Sequence, residues 1–258
     1  MITILNNNNG LKQAKCSFCN NYRVLERRYS GEHLCASCFI NSVEKNIRKT
    51  ISKYNMFRPQ DKIIVALSGG KDSIALLYNI VKIQRKNYRS KPVTAISIDE
   101  GIKEYRQKSI KIASDFCQKL KIEHTIVSFK EKVGMTLDEI VNKMKKSRNY
   151  QYACNYCALI RRRLLNESAL ELRGDVLAIG HNLTDVAETF LMNVLHRRYQ
   201  LISNQYLFKT SPPDFKRLFI KKIMPLMRIP EEEIQLYANL KKFKYFPYHC
   251  PYREQDPI

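Results

Sequence analysis

Four groups of residues carry side chains of the types, and at the spacings, that do chemistry. The first is Ser68-Gly69-Gly70-Lys71-Asp72-Ser73. Two adjacent glycines let the backbone turn tightly and approach a ligand, so successive N–H groups face an anion, and Lys71 adds a cation. A Walker A loop needs a glycine five residues before its Gly-Lys pair and Ser or Thr after the lysine; Val65 and Asp72 stand there instead. The second group is Cys16-x-x-Cys19 followed, after fifteen residues, by Cys35-x-x-Cys38. Two such thiol pairs around a short β-like loop predict a closed tetrahedral zinc ribbon with no position left for catalysis, an iron centre or free thiols being the alternatives, and His33 is not needed as a ligand. The third is Cys154-x-x-Cys157 with Cys250. A first helical turn beside Arg161, Arg162 and Arg163 predicts lowered pKa values for the paired thiols. If the fold returns Cys250 to them, the set suits a [4Fe–4S] cluster with one iron lacking a protein ligand, a zinc ion, or a redox disulfide with a persulfide relay; unrelated core cysteines are the plainer alternative. The fourth is the pair Asp72 and Asp185, two carboxylates suited to hold Mg²⁺ against a polyphosphate.

These groups need elements to position them. Ile63 to Leu67 read as a strand buried on both faces, within 62–67, and an apolar period from Ser73 reads as a helix over 73–85. Strands follow at 92–98, 123–128 and 175–180, with helices at 104–120, 136–146, 155–172 and 185–196. Alternation of this kind predicts an α/β fold: a doubly wound parallel sheet, with ligands beyond the carboxyl ends of its strands. Ser68–Ser73, Asp99-Glu100-Gly101 and Gly180-His181-Asn182 all fall at such ends. Asn182 or Thr184 suits the cap of the helix that carries Asp185. Residues 1–15, with Asn6 to Asn9, read as a loose tail, and 39–55 as a helix joining the ribbon to the sheet without a flexible linker. The expected division is 1–50 for tail, ribbon and helix, and 51–258 for the nucleotide domain. Cys117 reads as a small core hydrophobe, and His124 carries no functional signal.

The chain has 45 Lys and Arg against 24 Asp and Glu, a net charge of +21. A surface this basic predicts a polyanionic partner, nucleic acid before membrane. Segments 143–148, 161–163, 196–199 and 216–222 are candidate phosphate contacts. No apolar run approaches the ~20 residues of a membrane span, and the N-terminus lacks a signal-peptide core, so a cytosolic protein without a membrane partner is expected. Eight cysteines then read as ligands or catalytic thiols rather than disulfides.

The run SGGKDS resembles the PP-loop of the ATP pyrophosphatases, which cleave ATP between its α- and β-phosphates. In order along the chain stand the ribbon, SGGKDS, IDEGIKEYR, C-x-x-C before an arginine-rich helix, GHN-x-x-D-x-AET-x-LMN, PLMRIPEEE and HCPY. Together, from about Cys16 to Tyr252, they resemble the tRNA 2-thiolation enzymes of the TtuA type, which include wobble-uridine thiolases. The related 2-thiocytidine enzymes lack the ribbon. The resemblance implies ATP contacts at Ala66, Ser68, Gly69, Gly70, Lys71, Asp72, Ser73, Ile98, Arg161 and Gly180. It implies catalytic acids at Asp72 and Asp185, and cluster ligands at Cys154, Cys157 and Cys250. The implied activity is tRNA-uridine 2-sulfurtransfer: ATP adenylates the uracil O2, and sulfur from a carrier protein or free sulfide displaces AMP. A homodimer is compatible with it. Two features depart from the pattern: Thr184-Asp185 stands where members commonly have Asp-Asp, and members usually continue past the third cysteine into a second ribbon, whereas this sequence ends at Ile258.

Overall fold

The computed structural model describes residues 2–4, 14–145, 152–205 and 218–253. Strands β1 (Ile2–Ile4), β2 (Leu25–Arg27) and β3 (Glu32–Leu34) form a small antiparallel sheet in that order. Backbone pairing of Ile2 with Arg27 and Ile4 with Leu25 corrects the expectation that residues 1–15 are a loose tail throughout: residues 2–4 add a third strand to the hairpin. Residues 5–13, including Asn6 to Asn9, lie outside the described residues. Helix α1 (Ala36–Lys53) starts three residues before the expected position, because the Cys35 side chain caps it by accepting from the Cys38 N–H.

The second sheet has five parallel strands: β4 (Ile63–Ala66), β5 (Thr94–Asp99), β6 (Glu123–Ser128), β7 (Val176–Ala178) and β8 (Lys221–Ile223). Their order is β6-β5-β4-β7-β8, so the chain runs outward from β4 to one edge and returns to build the other. This is the doubly wound sheet expected, with its switch point between β4 and β7. Side chains alternate between faces along a strand. Ile63 and Val65 accordingly enter one core, with helices α1, α2 (Lys71–Gln84), α3 (Arg106–Leu120) and α9 (Glu231–Leu240), while Ile64 enters the other. The second core is closed by α4 (Phe129–Val133), α5 (Leu137–Met144) and α6 (Ala153–Glu171). Helices α7 (Leu183–Leu195) and α8 (Tyr199–Gln205) fill part of the return from β7 to β8. The expected helices lie within about two residues of those observed, α1 apart. Strand β8 and helix α9 were not expected: three residues, two of them lysine, give little strand signal.

The ribbon is docked on the sheet domain, as the absence of a linker implied. Leu25 and Leu34 belong to the same core as Ile63 and Val176. Arg27 donates to both carboxylate oxygens of Glu233 on α9, at 2.9 and 2.8 Å, and Tyr29 donates to Oε1 at 2.5 Å. Glu233 is 2% exposed, and a buried carboxylate is tolerated only with partners of this kind. Cys117 is buried as expected, its thiol pushed up to about 12 by burial.

Candidate active site

Strand β4 runs into the phosphate loop, and the loop's shape follows from its first glycine. Gly69 has φ +87°, and a Cβ there would lie 2.3 Å from the Ser109 carbonyl oxygen of α3. Ser73 Oγ donates to the Gly70 carbonyl at 2.9 Å and accepts from the Ser68 N–H at 3.2 Å, closing the loop on the first turn of α2. Arg106, the first residue of α3, braces it: buried, it donates to the carbonyls of Ile98 at 2.6 Å and Ser68 at 2.9 Å.

Three helix N-termini meet at this loop. Asn182 caps α7 by accepting from the Asp185 N–H at 3.0 Å, and Asp185 completes the box by accepting from the Asn182 N–H at 2.9 Å. The Asn182 amide also donates to Asp72 Oδ1 at 3.2 Å, so one side chain ties together the two predicted acids. Lys71 Nζ lies 3.0 Å from Asp72 Oδ2 and 2.6 Å from Glu231 Oε1 in the first turn of α9. Thr184, at the position of the missing acid, accepts from the Glu231 N–H at 3.1 Å. Converging N-termini supply partial positive charge and free N–H groups, as a polyphosphate requires. The neighbouring cation holds the Glu231 carboxyl below its ordinary range. Gly180, leaving β7, runs against α2: a Cβ there would be 3.3 Å from the Ser73 nitrogen.

Beside the loop opens a cleft of about 360 Å³ at the switch point. Its walls include Ala66, Ser68, Asp72, Ser73, Ile98, Arg161 and Gly180 of the predicted ATP contacts, and Gly69, Gly70 and Lys71 form the adjoining turn. Ile96, Leu177 and Ile179 make it apolar on the sheet side, as a nucleoside needs. Sequence reasoning missed Glu100, Arg106 and Glu231 as site residues. The first two stand in IDEGIKEYR, whose Asp99-Glu100-Gly101 falls at a ligand-binding strand end in the sequence, and the third in PLMRIPEEE.

The C-terminal segment returns across the mouth of the sheet. The Phe246 N–H donates to the Gly69 carbonyl at 2.9 Å, Phe246 packs edge-on against Tyr105 and Tyr248, and the Tyr252 hydroxyl donates to Asp138 at 2.7 Å. Cys250 and Cys157 are thereby half-buried against the same core, each within electrostatic reach of Glu100 and Arg161. Cys154 is exposed one turn earlier on α6. The expectation of lowered thiol pKa values fails at Cys157, which burial pushes up to about 11 against the pull of Arg161; burial also raises Cys250. Helix position and nearby arginines are outweighed there by desolvation.

The zinc-ribbon residues satisfy a strict test. The four ligand sulfurs of Cys16, Cys19, Cys35 and Cys38 all lie within 4.8 Å of one another, with Cys19 3.6 Å from Cys35 and 3.7 Å from Cys38. A tetrahedral ion with ~2.3 Å bonds to sulfur needs separations of about 3.8 Å. No other metal-ligand group meets the 4.8 Å spacing among the described residues, so Cys154, Cys157 and Cys250 are spread more widely. His33 pairs with Arg23 instead, at 2.8 Å.

Of the basic segments, Arg161 and Arg162 wall the cleft, whereas Arg163 is paired with Glu167 at 2.7 Å. Arg197, Arg198 and Tyr199 are exposed, as are Lys143 and Lys145; Lys222 also reaches the cleft. Residues 146–148 and 216–217 lie outside the described residues. No described helix is long and apolar enough to cross a membrane.

A parallel sheet with a two-glycine phosphate loop after its central strand and a cleft at its switch point defines an adenine-nucleotide-binding domain of the PP-loop class. A family model described as a PP-loop domain matches residues 40–249. A Methanocaldococcus jannaschii protein named "Probable sulfurtransferase" is 36% identical over 94% of this chain and 69% of its own length. The Drosophila willistoni "Cytoplasmic tRNA 2-thiolation protein 1" is 35% identical over 91% of this chain and 66% of its own. The solved U34-tRNA thiolase NcsA from Methanococcus maripaludis, with its [4Fe-4S] cluster, superposes with a TM-score of 0.80 at 36% identity, over 92% of this chain and 75% of that one. The chain belongs to the PP-loop family, together with these proteins.

Proposed function

We propose that the protein is an ATP-dependent tRNA-uridine 2-sulfurtransferase working in the cytoplasm. One observation supports the reading: with the C-terminal segment anchored on Gly69, Cys250 is within electrostatic reach of Cys157, and both are within reach of Glu100 and Arg161 of the cleft wall. Activation and sulfur delivery then share one site. The names of the relatives support tRNA as substrate and 2-thiolation as outcome.

In this reading the adenosine lies against Ile96, Ile98 and Leu177, and the phosphates face the loop and the N-termini of α2, α7 and α9. Asp72 and Asp185, held by Asn182, fit Mg²⁺, which would offset charge on the phosphates. The uracil O2 bonds to the α-phosphorus, pyrophosphate leaves toward Lys71, and sulfur then displaces AMP from C2. A base must leave its stack to reach such a cleft, and Arg161 and Arg162 stand at its wall to receive it. Cys154, Cys157 and Cys250 fit a [4Fe–4S] cluster by donor type, Cys157 and Cys250 also by their reach to Glu100 and Arg161 of the cleft wall, and would hold it as thiolates. When bound, it would supply an iron free of protein ligands for sulfide, given as free sulfide or by a sulfur-carrier protein. Zinc in the ribbon is structural. We take residues 1–50 and 51–258 as the two units of the chain.

Anaerobic thiolation of unmodified tRNA with ATP and sulfide tests this. The wild type should form 2-thiouridine, and Asp185→Ala and Cys250→Ala should not; a Cys250→Ala protein that keeps four irons per chain and full activity contradicts the assignment.

A further inference from the structure

We propose that Glu100 accepts the N3 proton of the target uracil as its O2 attacks ATP, an assignment that rests on the adenylation reading above. Glu100 is 4% exposed and lines the cleft, yet its Oε2 accepts no hydrogen bond. Arg106 Nε is only 2.7 Å away, but its N–H is directed at the Ile98 carbonyl. Oε1 lies 3.8 Å from Arg161 Nη1. A buried acceptor without a hydrogen bond is costly, and it calls for an explanation such as a ligand that supplies the donor.

Its position says which ligand. Through Arg106, Glu100 adjoins Ser68 of the phosphate loop, and its charge is felt by both Cys157 and Cys250. A base that must reach the α-phosphate on one side and sulfur on the other passes this carboxylate. Uracil presents N3–H between two carbonyl oxygens, an edge complementary to a carboxylate beside a guanidinium. Cytosine presents an unprotonated N3, which a carboxylate repels, so the same residue favours uridine.

The chemistry uses the contact. The oxygen of a neutral lactam is a weak nucleophile. As O2 bonds to the α-phosphorus and the bond from phosphorus to the bridging oxygen of pyrophosphate breaks, the N3–H electron pair becomes the C2=N3 π bond. The proton passes to Glu100. The products are a neutral O2-adenylated base, pyrophosphate and a protonated carboxyl group.

Full-length protein purified anaerobically, ATP and tRNA transcripts made with uridine or 5-fluorouridine test this by pyrophosphate release. Fluorine makes N3–H more acidic and lessens the need for a base. Glu100→Gln should bind ATP within about threefold of wild type and release pyrophosphate at least ~100-fold more slowly on uridine tRNA. On 5-fluorouridine tRNA it should recover by about tenfold or more, whereas the wild type changes little. Glu100→Asp, with the carboxylate withdrawn by one methylene, should show the same pattern and stands in if the Gln variant fails to fold. Wild-type release by Glu100→Gln, or equal loss on both tRNAs as a mere brace for Arg106 would give, overturns the proposal. A wild type that releases no pyrophosphate with either tRNA overturns the adenylation reading itself, and this assignment with it.

Discussion

Replacing Gly69 by alanine separates the shape of the phosphate loop from its chemistry. At φ +87° an L-residue is strained, which alone costs about 1–2 kcal/mol. The added Cβ would also lie 2.3 Å from the Ser109 carbonyl oxygen, and both partners are backbone, so loop or α3 must move by several tenths of an ångström. Together these effects predict a loss of about 2–4 kcal/mol, or a Tm lower by roughly 5–15 °C for a chain of this size. The displacement falls where the phosphates bind, so pyrophosphate release should drop by about 100-fold, as a misplacement near 1 Å does. Gly70→Ala is the internal control. Gly70 has φ −77°, and its Cβ would meet Ser68 Oγ at an ordinary 3.4 Å. It should melt like the wild type and differ only in ATP affinity, where the ligand approaches the backbone. Differential scanning calorimetry with ATP titration reads both variants. A Gly69→Ala protein with unchanged Tm and ATP affinity would refute the account of the loop.

Three further outcomes follow from the same geometry. Glu233→Ala takes from the buried Arg27 its two Glu233 bonds, leaving Glu32 at 3.1 Å and Ser42 at 2.8 Å, and should cost about 2–3 kcal/mol in urea unfolding, while Arg27→Met with Glu233→Leu should recover most of it; a single variant within 1 kcal/mol of wild type contradicts a buried clamp. Because Leu25 and Leu34 share a core with Ile63, removing zinc with a strong chelator should lower the melting of the whole protein, not release a separate early transition visible by circular dichroism. His124 is held neutral: Ser97 gives its proton to the Leu67 carbonyl at 2.6 Å, so Nε2–H donates to Ser97 at 2.8 Å and Nδ1 accepts from Ser114 at 3.2 Å. Burial, with a smaller push from Arg106, lowers its folded pKa, so the unfolded chain binds the proton first. Stability is therefore full above the unfolded value of about 6.5 and falls as the pH drops from there toward the folded value; His124→Asn should flatten that slope.

Much of this was legible in the chain because local chemistry and global fold agree. Ile63–Val65 are apolar on both faces, and a strand of that kind belongs at the centre of a parallel sheet. Cys-x-x-Cys spacing places two sulfurs on one ion whatever surrounds it. What escaped depends on contacts between distant segments. Glu231 lies 160 residues from Lys71, and nothing local to either announces that they meet. Glu100 reads as one more acid at a strand end until its burial and missing donor are seen. The raised pKa of Cys157 was missed for the opposite reason: helix start and arginines are visible in sequence, but the desolvation that outweighs them is a property of the packed core. Strand β8 is recognisable only because β7 lies beside it.

The claim at the centre is that the uracil oxygen is activated by ATP at SGGKDS and replaced beside Cys157 and Cys250. Single-turnover thiolation of tRNA carrying ¹⁸O at the uracil C2 position, with mass spectrometry of the nucleoside and of AMP, tests it most directly. The account predicts one 2-thiouridine per AMP and the ¹⁸O label in the AMP phosphate. Unlabelled AMP, or thiolation accompanied by ADP, would contradict it.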